Sequence, residues 1–152
     1  MNLKLLLKNI LIPNIIGFLG GLIGNAKDGF KGINKPDFAP PGLVFPIVWT
    51  ILYILMGISA YLVENSNHPQ KKDALRYYYV SLILNASWTF FFFKLKWFLF
   101  SSILVLIILY FVIETIRRYF KINKTAAYLQ IPYVLWLLFA GFLSFSVWTL
   151  NP

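Results

Sequence analysis

The sequence predicts an all-α membrane protein, a five-transmembrane-helix bundle. Three observations lead there. The 152 residues are 59% apolar and only 12% charged, against about 25% charged for a soluble domain. Such a chain cannot cover its own surface with polar side chains. Its apolar residues fall into five runs, each near the roughly 20 residues that cross a bilayer. Those runs are apolar on every side, as lipid-facing or buried helices are. They lack the alternating polarity of a membrane barrel, and a helix satisfies its own backbone amides, as hydrocarbon demands.

The first run, about residues 5–24, is the weakest, because it holds Lys8 and Asn14. No small-residue cleavage pattern follows it, so it reads as a retained span. Its Gly17, Gly20, Gly21 and Gly24, with Gly141 near the other end of the chain, suit close helix approach or a dimer contact. The second run, 43–63, carries no charge. Pro40, Pro41 and Gly42 end the preceding loop and orient entry to this helix. Pro46 sits about one turn inside, near the limit at which a missing amide is tolerated.

The third run, 77–93, is bounded by Arg76 and Lys94. The fourth, 97–113, lies between Lys96 and Glu114, and the fifth, 126–150, is free of charge. Residues 1–152 thus read as one membrane domain. Connections are short except 25–42, which is rich in Gly, Pro and Lys. A loop this long in a compact bundle is functional or disordered. Its Phe30, Ile33 and Phe38 need something to pack on, so the loop reads as a lid over the bundle end.

The net charge of +9 does not point to nucleic acid, whose binders cluster cations on one face or arm. Here Lys and Arg sit in short groups beside apolar runs, as membrane flanks do. Nine of the fourteen fall on the N-terminal side of the bundle and five on the lid side. The positive-inside rule therefore puts the N-terminus in the cytoplasm and the lid outside, in what reads as a bacterial cell membrane.

Conventional catalysis has little to work with. There is no cysteine, hence no disulfide framework, iron–sulfur cluster or thiol nucleophile. The single histidine, His68, lies among Asn65, Ser66 and Asn67 and reads as a surface residue, so no metal site is expected. No span interior holds a carboxylate, which acid–base chemistry and proton-coupled transport both use.

Three helices carry mixed stripes at three- and four-residue steps, each on one face. They are Trp49, Tyr53, Met56 or Gly57 and Ala60; Ser81, Asn85 and Trp88; and Pro132, Trp136, Ala140 and Ser144. Two readings are open. Aromatic rings anchor at membrane interfaces and small residues pack helices. Alternatively, the rings line a cavity. Trp97, Trp148 and the Tyr77–Tyr79 run fit interfaces, whereas Trp88 and Trp136 lie near mid-span. A cavity of Trp, Tyr and Phe suits a flat hydrophobic ligand, whose carboxylates the lid cations could meet. A porphyrin fits this description well and a sterol passably.

At these residues the chain resembles the translocator protein / tryptophan-rich sensory protein family (TspO/MBR), as a bacterial-type member. The resemblance runs from about Lys35 to Asn151. It rests on "KPDFAPPG", "FPIVWTILYILMG", "LNASWTFFFF", "IPYVLWLLFAGFLS" and "WTLN" in order on separate elements. It implies a five-helix bundle, usually a homodimer, with one pocket per protomer capped by the loop after the first helix. It further implies binding of porphyrin or haem with no other cofactor required, while animal members bind cholesterol and some bacterial members degrade protoporphyrin in light. Carried over by motif position, the ligand-binding residues are Phe30 and Pro41 in the lid, Trp49 and Tyr53, Asn85 and Trp88, then Trp136, Ala140 and Ser144. Trp49 and Trp136 would be catalytic if porphyrin is degraded.

The chain also departs from the family. Gly29 and Phe30 stand where a Trp-Tyr pair is common, so the hydroxyl donor of the lid is missing. Ser144 replaces a frequent Asn, and Phe139 a frequent Tyr. No cholesterol-recognition tail follows the fifth helix, and no inverted repeat or broken helix pair appears. A lipid or sterol transporter is therefore the lesser expectation.

Overall fold

A computed structural model describes all 152 residues. Its helices are α1 (Leu3–Ile23), α2 (Val44–Glu64), α3 (Lys71–Thr89), α4 (Phe98–Ile122), α5 (Lys124–Leu129) and α6 (Ile131–Leu150). There are no strands. Four segments are long and apolar enough to cross a membrane: α1, α2, α4 and the α5–α6 rod Lys124–Leu150. The fifth rod, α3, opens with Lys71, Lys72, Asp73 and Arg76 and is the most polar.

Local chemistry fixes the ends. The Asn2 side chain caps α1 by accepting from the Leu5 amide at 3.1 Å, satisfying one of the orphan donors of a first turn. The Asn123 side chain does the same for α5, accepting from the Ala126 amide at 3.0 Å. The polar ends of α3 and α4 run past the membrane readings. α3 starts six residues before 77 and α4 ends nine residues after 113. Hydropathy marks only what lipid can hold, while a helix continues into water where ion pairs support it. Arg118 binds Asp73 and Glu114, and Glu114 also meets Arg117.

Two features were not foreseen. The fifth helix is broken at Gln130, because Pro132 has no amide to donate to the Tyr128 carbonyl. The Gln130 amide instead closes a tighter turn on the Ala127 carbonyl at 3.1 Å. Its side chain is buried and donates to Ser59 Oγ at 3.1 Å, and Ser59 donates to the Ala126 carbonyl at 2.6 Å. The break is thereby tied to α2. At the other unforeseen site, α3 widens into a π-helical turn, Phe90–Lys94.

α1 packs on α2 and α3, α4 on α3 and α6, and α5 on α2. Pro13 of α1 leaves the Asn9 carbonyl without its helical donor. α2 approaches there so closely that a Cβ on Gly57 would lie 2.5 Å from the Asn9 oxygen. Gly20 and Gly24 take α3 in the same way, and the Thr89 hydroxyl lies 2.7 Å from the Gly20 carbonyl. Gly17 holds the Tyr53 ring, and Gly141 faces Val105. These glycines are therefore spent on packing within the chain rather than left free for a dimer. Gly21 alone among the first-helix glycines meets nothing closer than 3.9 Å.

α2 and α6 touch only sparsely. They are held together at the α5 end through Ser59 and Gln130 and diverge toward the lid. The site lies in that divergence.

Candidate functional site

A cavity opens between α2, α3, α4 and α6 beneath the lid. Its wall holds Trp49 from α2, Asn85 and Trp88 from α3, Val105 and Ile108 from α4, and Trp136 and Ala140 from α6. Phe30 closes it from the lid, with Phe45, Phe92 and Phe93 around it. Six of the nine residues singled out from the sequence, Phe30, Trp49, Asn85, Trp88, Trp136 and Ala140, thus surround one space.

The other three stand elsewhere. Tyr53 sits one layer behind the wall, stacked on Trp49 with ring centroids 5.4 Å apart. Its hydroxyl accepts from Asn85 Nδ2 at 3.1 Å, so it fixes the one amide side chain of the cavity wall. Ser144 is fully buried in α6, a turn beyond Ala140, and its hydroxyl has no partner. Pro41 is exposed at the entrance to α2, where it shapes the chain rather than the cavity.

The rings form a connected frame. Trp49 meets Trp136 edge-on at 6.3 Å and 90°, and Tyr133 at 6.0 Å. Phe45 meets Trp136 at 5.9 Å. Trp88 stacks on Phe92 at 4.5 Å. Phe30 packs against Phe45, Phe92 and Phe93 at 5.8 to 6.2 Å. The indole N–H groups of Trp88 and Trp136 are buried without a hydrogen-bond partner. Unpaired buried donors are costly, and both belong to residues that line the cavity.

No charged side chain enters the cavity wall. A cation stands beside it on the lid, with Lys35 Nζ 5.9 Å from the Phe30 ring centroid. Binding by stacking, and electron donation from an indole, are the chemistry these groups allow. The residues missed from the sequence were Phe45, Phe92 and Phe93, Val105 and Ile108 of α4, and Leu137 and Leu143 of α6. Nothing in the run of four phenylalanines tells which rings face inward, and plain Val and Ile on α4 carry no distinguishing mark. Phe92 lies within the π-helical turn and is buried to 1% exposure.

The fold and site define a helical integral membrane protein built around a lid-covered aromatic cavity. The chain belongs to the TspO/MBR family, which it matches over residues 9–149. It is 36% identical to protein CrtK of Rhodobacter capsulatus over 135 residues, covering 87% of this chain and 84% of that one. It is 32% identical to the tryptophan-rich protein TspO of Archaeoglobus fulgidus over 153 residues, 99% of both chains. The translocator protein of Bos taurus is 29% identical over 146 residues, 93% of this chain and 86% of its own.

Proposed function

We propose that this protein spans the membrane with five helices and binds tetrapyrroles of the protoporphyrin or haem type, acting as sensor, regulator or carrier. The observation that carries the reading is the convergence of Trp49, Trp88 and Trp136 from three helices on one cavity with no charged wall residue. Indole and phenyl faces stack on a flat conjugated ring. Buried N–H donors fix its orientation, and lid lysines meet carboxylates at its rim. The name of the Cereibacter sphaeroides relative, tryptophan-rich sensory protein, 32% identical over 131 residues, favours a sensory role.

In this reading α3 crosses beside α1 and α4 as the fifth span. The cation-rich end with the N-terminus faces the cytoplasm of a bacterial cell, and lipid surrounds a homodimer. Porphyrin or haem is the ligand, and no other cofactor is required. Titration of purified protein in detergent with protoporphyrin, haem and a sterol tests it, following Trp emission. Saturable quenching by a tetrapyrrole is expected. Quenching that never saturates, or a response to the sterol alone, overturns it.

One observation favours a second reading, light-dependent porphyrin degradation. Trp49 and Trp136 are in van der Waals reach of each other, and an indole can donate an electron to an excited macrocycle without an acid or base. Illumination of the complex decides it. Porphyrin absorbance lost no faster than in protein-free detergent leaves binding alone.

A further inference from the structure

The cavity is narrow. It holds about 30 Å³, room for a water molecule or two, whereas pockets for drug-sized ligands run to roughly 300–1,000 Å³. A flat macrocycle enters only if part of the wall leaves. Every other wall side chain stands on a helical turn packed by its neighbours, while Phe30 alone comes from the lid. Phe30 is also bracketed by Gly29 at φ 51° and Gly32 at φ 71°, left-handed backbone that favours glycine and can swing at low cost.

The polar fastening of the lid is narrowly defined. Within the lid, backbone hydrogen bonds are all local turns. Its hydrogen bonds to the helices converge on the end of α6. The Asn34 amide donates to Asn151 Oδ1 at 3.0 Å, and Asn151 Nδ2 donates to the Asn34 carbonyl at 2.7 Å. Asn151 Nδ2 also reaches the Val147 carbonyl at 2.7 Å, and Asn34 Nδ2 makes a long contact of 3.5 Å with the Leu150 carbonyl. One amide side chain just past the last helix thus grips the main chain of the lid 117 residues away. Burial of Ile33 among Phe92, Phe98, Leu143 and Val147 and stacking of Phe38 on Phe142, centroids 5.2 Å apart, complete the closure.

We propose that Asn151 is a latch: its side chain holds the lid main chain at Asn34, keeps Phe30 in the space a flat ligand takes, and so sets how often the site opens. The inference rests on the reading of this cavity as the ligand site. Asn151 does not line the cavity and acts through the lid, as a positioning residue.

The chain has no cysteine, so Ala140→Cys in the cavity wall gives a single thiol whose modification by N-ethylmaleimide reports opening with no tetrapyrrole present. Asn151→Ala removes both strong bonds and should speed modification about fivefold to thirtyfold, the population change that one or two kcal/mol produces. Asn151→Asp keeps the acceptor and loses the donor, so it should speed modification by an intermediate factor, and it carries the test if the alanine variant aggregates. Asn34→Ala retains the main-chain groups that Asn151 grips and should change the rate less than twofold. Unchanged labelling in both Asn151 variants overturns the latch, as does an equal acceleration by Asn34→Ala. Failure of tetrapyrrole binding with labelling as expected would instead overturn the ligand assignment and leave the latch standing.

Discussion

Trp49 and Trp136, on helices that barely touch elsewhere, meet edge to face with ring centroids 6.3 Å apart. They bridge the mouth of the divergence between α2 and α6. Each aromatic contact of this kind is worth about 0.5–1.5 kcal/mol beyond area burial. Trp49→Phe or Trp136→Phe should weaken tetrapyrrole binding about twofold to tenfold in a fluorescence titration. Because the two rings touch, the double variant should deviate from the sum of the singles. Unchanged affinity in the double variant removes the cavity from consideration as the binding site.

Tyr53 separates support from contact. Tyr53→Phe keeps the ring on Trp49 but takes the acceptor from Asn85, which is 5% exposed. A buried donor left unpaired costs about 1–3 kcal/mol. Thermal unfolding in detergent should therefore fall by several degrees, at about 2–4 °C per kcal/mol for a chain of this size. Tetrapyrrole affinity of the folded variant should stay within a few-fold. A large affinity loss with unchanged stability would mean that the hydroxyl itself meets the ligand.

The glycines give opposite predictions. Gly57→Ala forces a methyl against the Asn9 carbonyl and the Ile10 backbone, and backbone cannot step aside as a side chain does. A cost of about 1–3 kcal/mol is expected, the usual range for overpacking. Gly21→Ala has open space and gains about 0.5–1 kcal/mol of helix propensity. Melting curves of the two variants should move in opposite directions.

Orientation is checked with the cysteine-free background. Asp37 is an exposed lid residue and Asn67 an exposed residue of the opposite end. With the lid outside, a membrane-impermeant maleimide applied to intact cells should label Asp37→Cys and spare Asn67→Cys. The reverse pattern inverts the topology.

The helices were legible because lipid forces apolar residues into runs that hydropathy reads directly. Their water-side ends were not, since α3 and α4 continue on charged residues such as Asp73 and Arg118 that pair across helices. The break at Gln130 was available in principle from Pro132, but its consequence depends on Ser59, 71 residues away. Helical spacing put Trp49, Asn85, Trp88, Trp136 and Ala140 on candidate faces. That those faces converge, while Ser144 is turned away, depends on how α6 rotates after the break. The grip of Asn151 on Asn34 joins two short polar stretches whose sequence carries no sign of the other.

All four ion pairs, among Lys8, Glu64, Asp73, Glu114, Arg117 and Arg118, lie at the end away from the lid. The lid is fastened by rings and neutral amides. Dissolved electrolyte weakens exposed charge pairs and leaves neutral bonds almost untouched. The two ends of the bundle thus respond with unequal sensitivity: a change in ionic strength on the side away from the lid loosens the helix ends there, while the same change on the lid side leaves the cover seated.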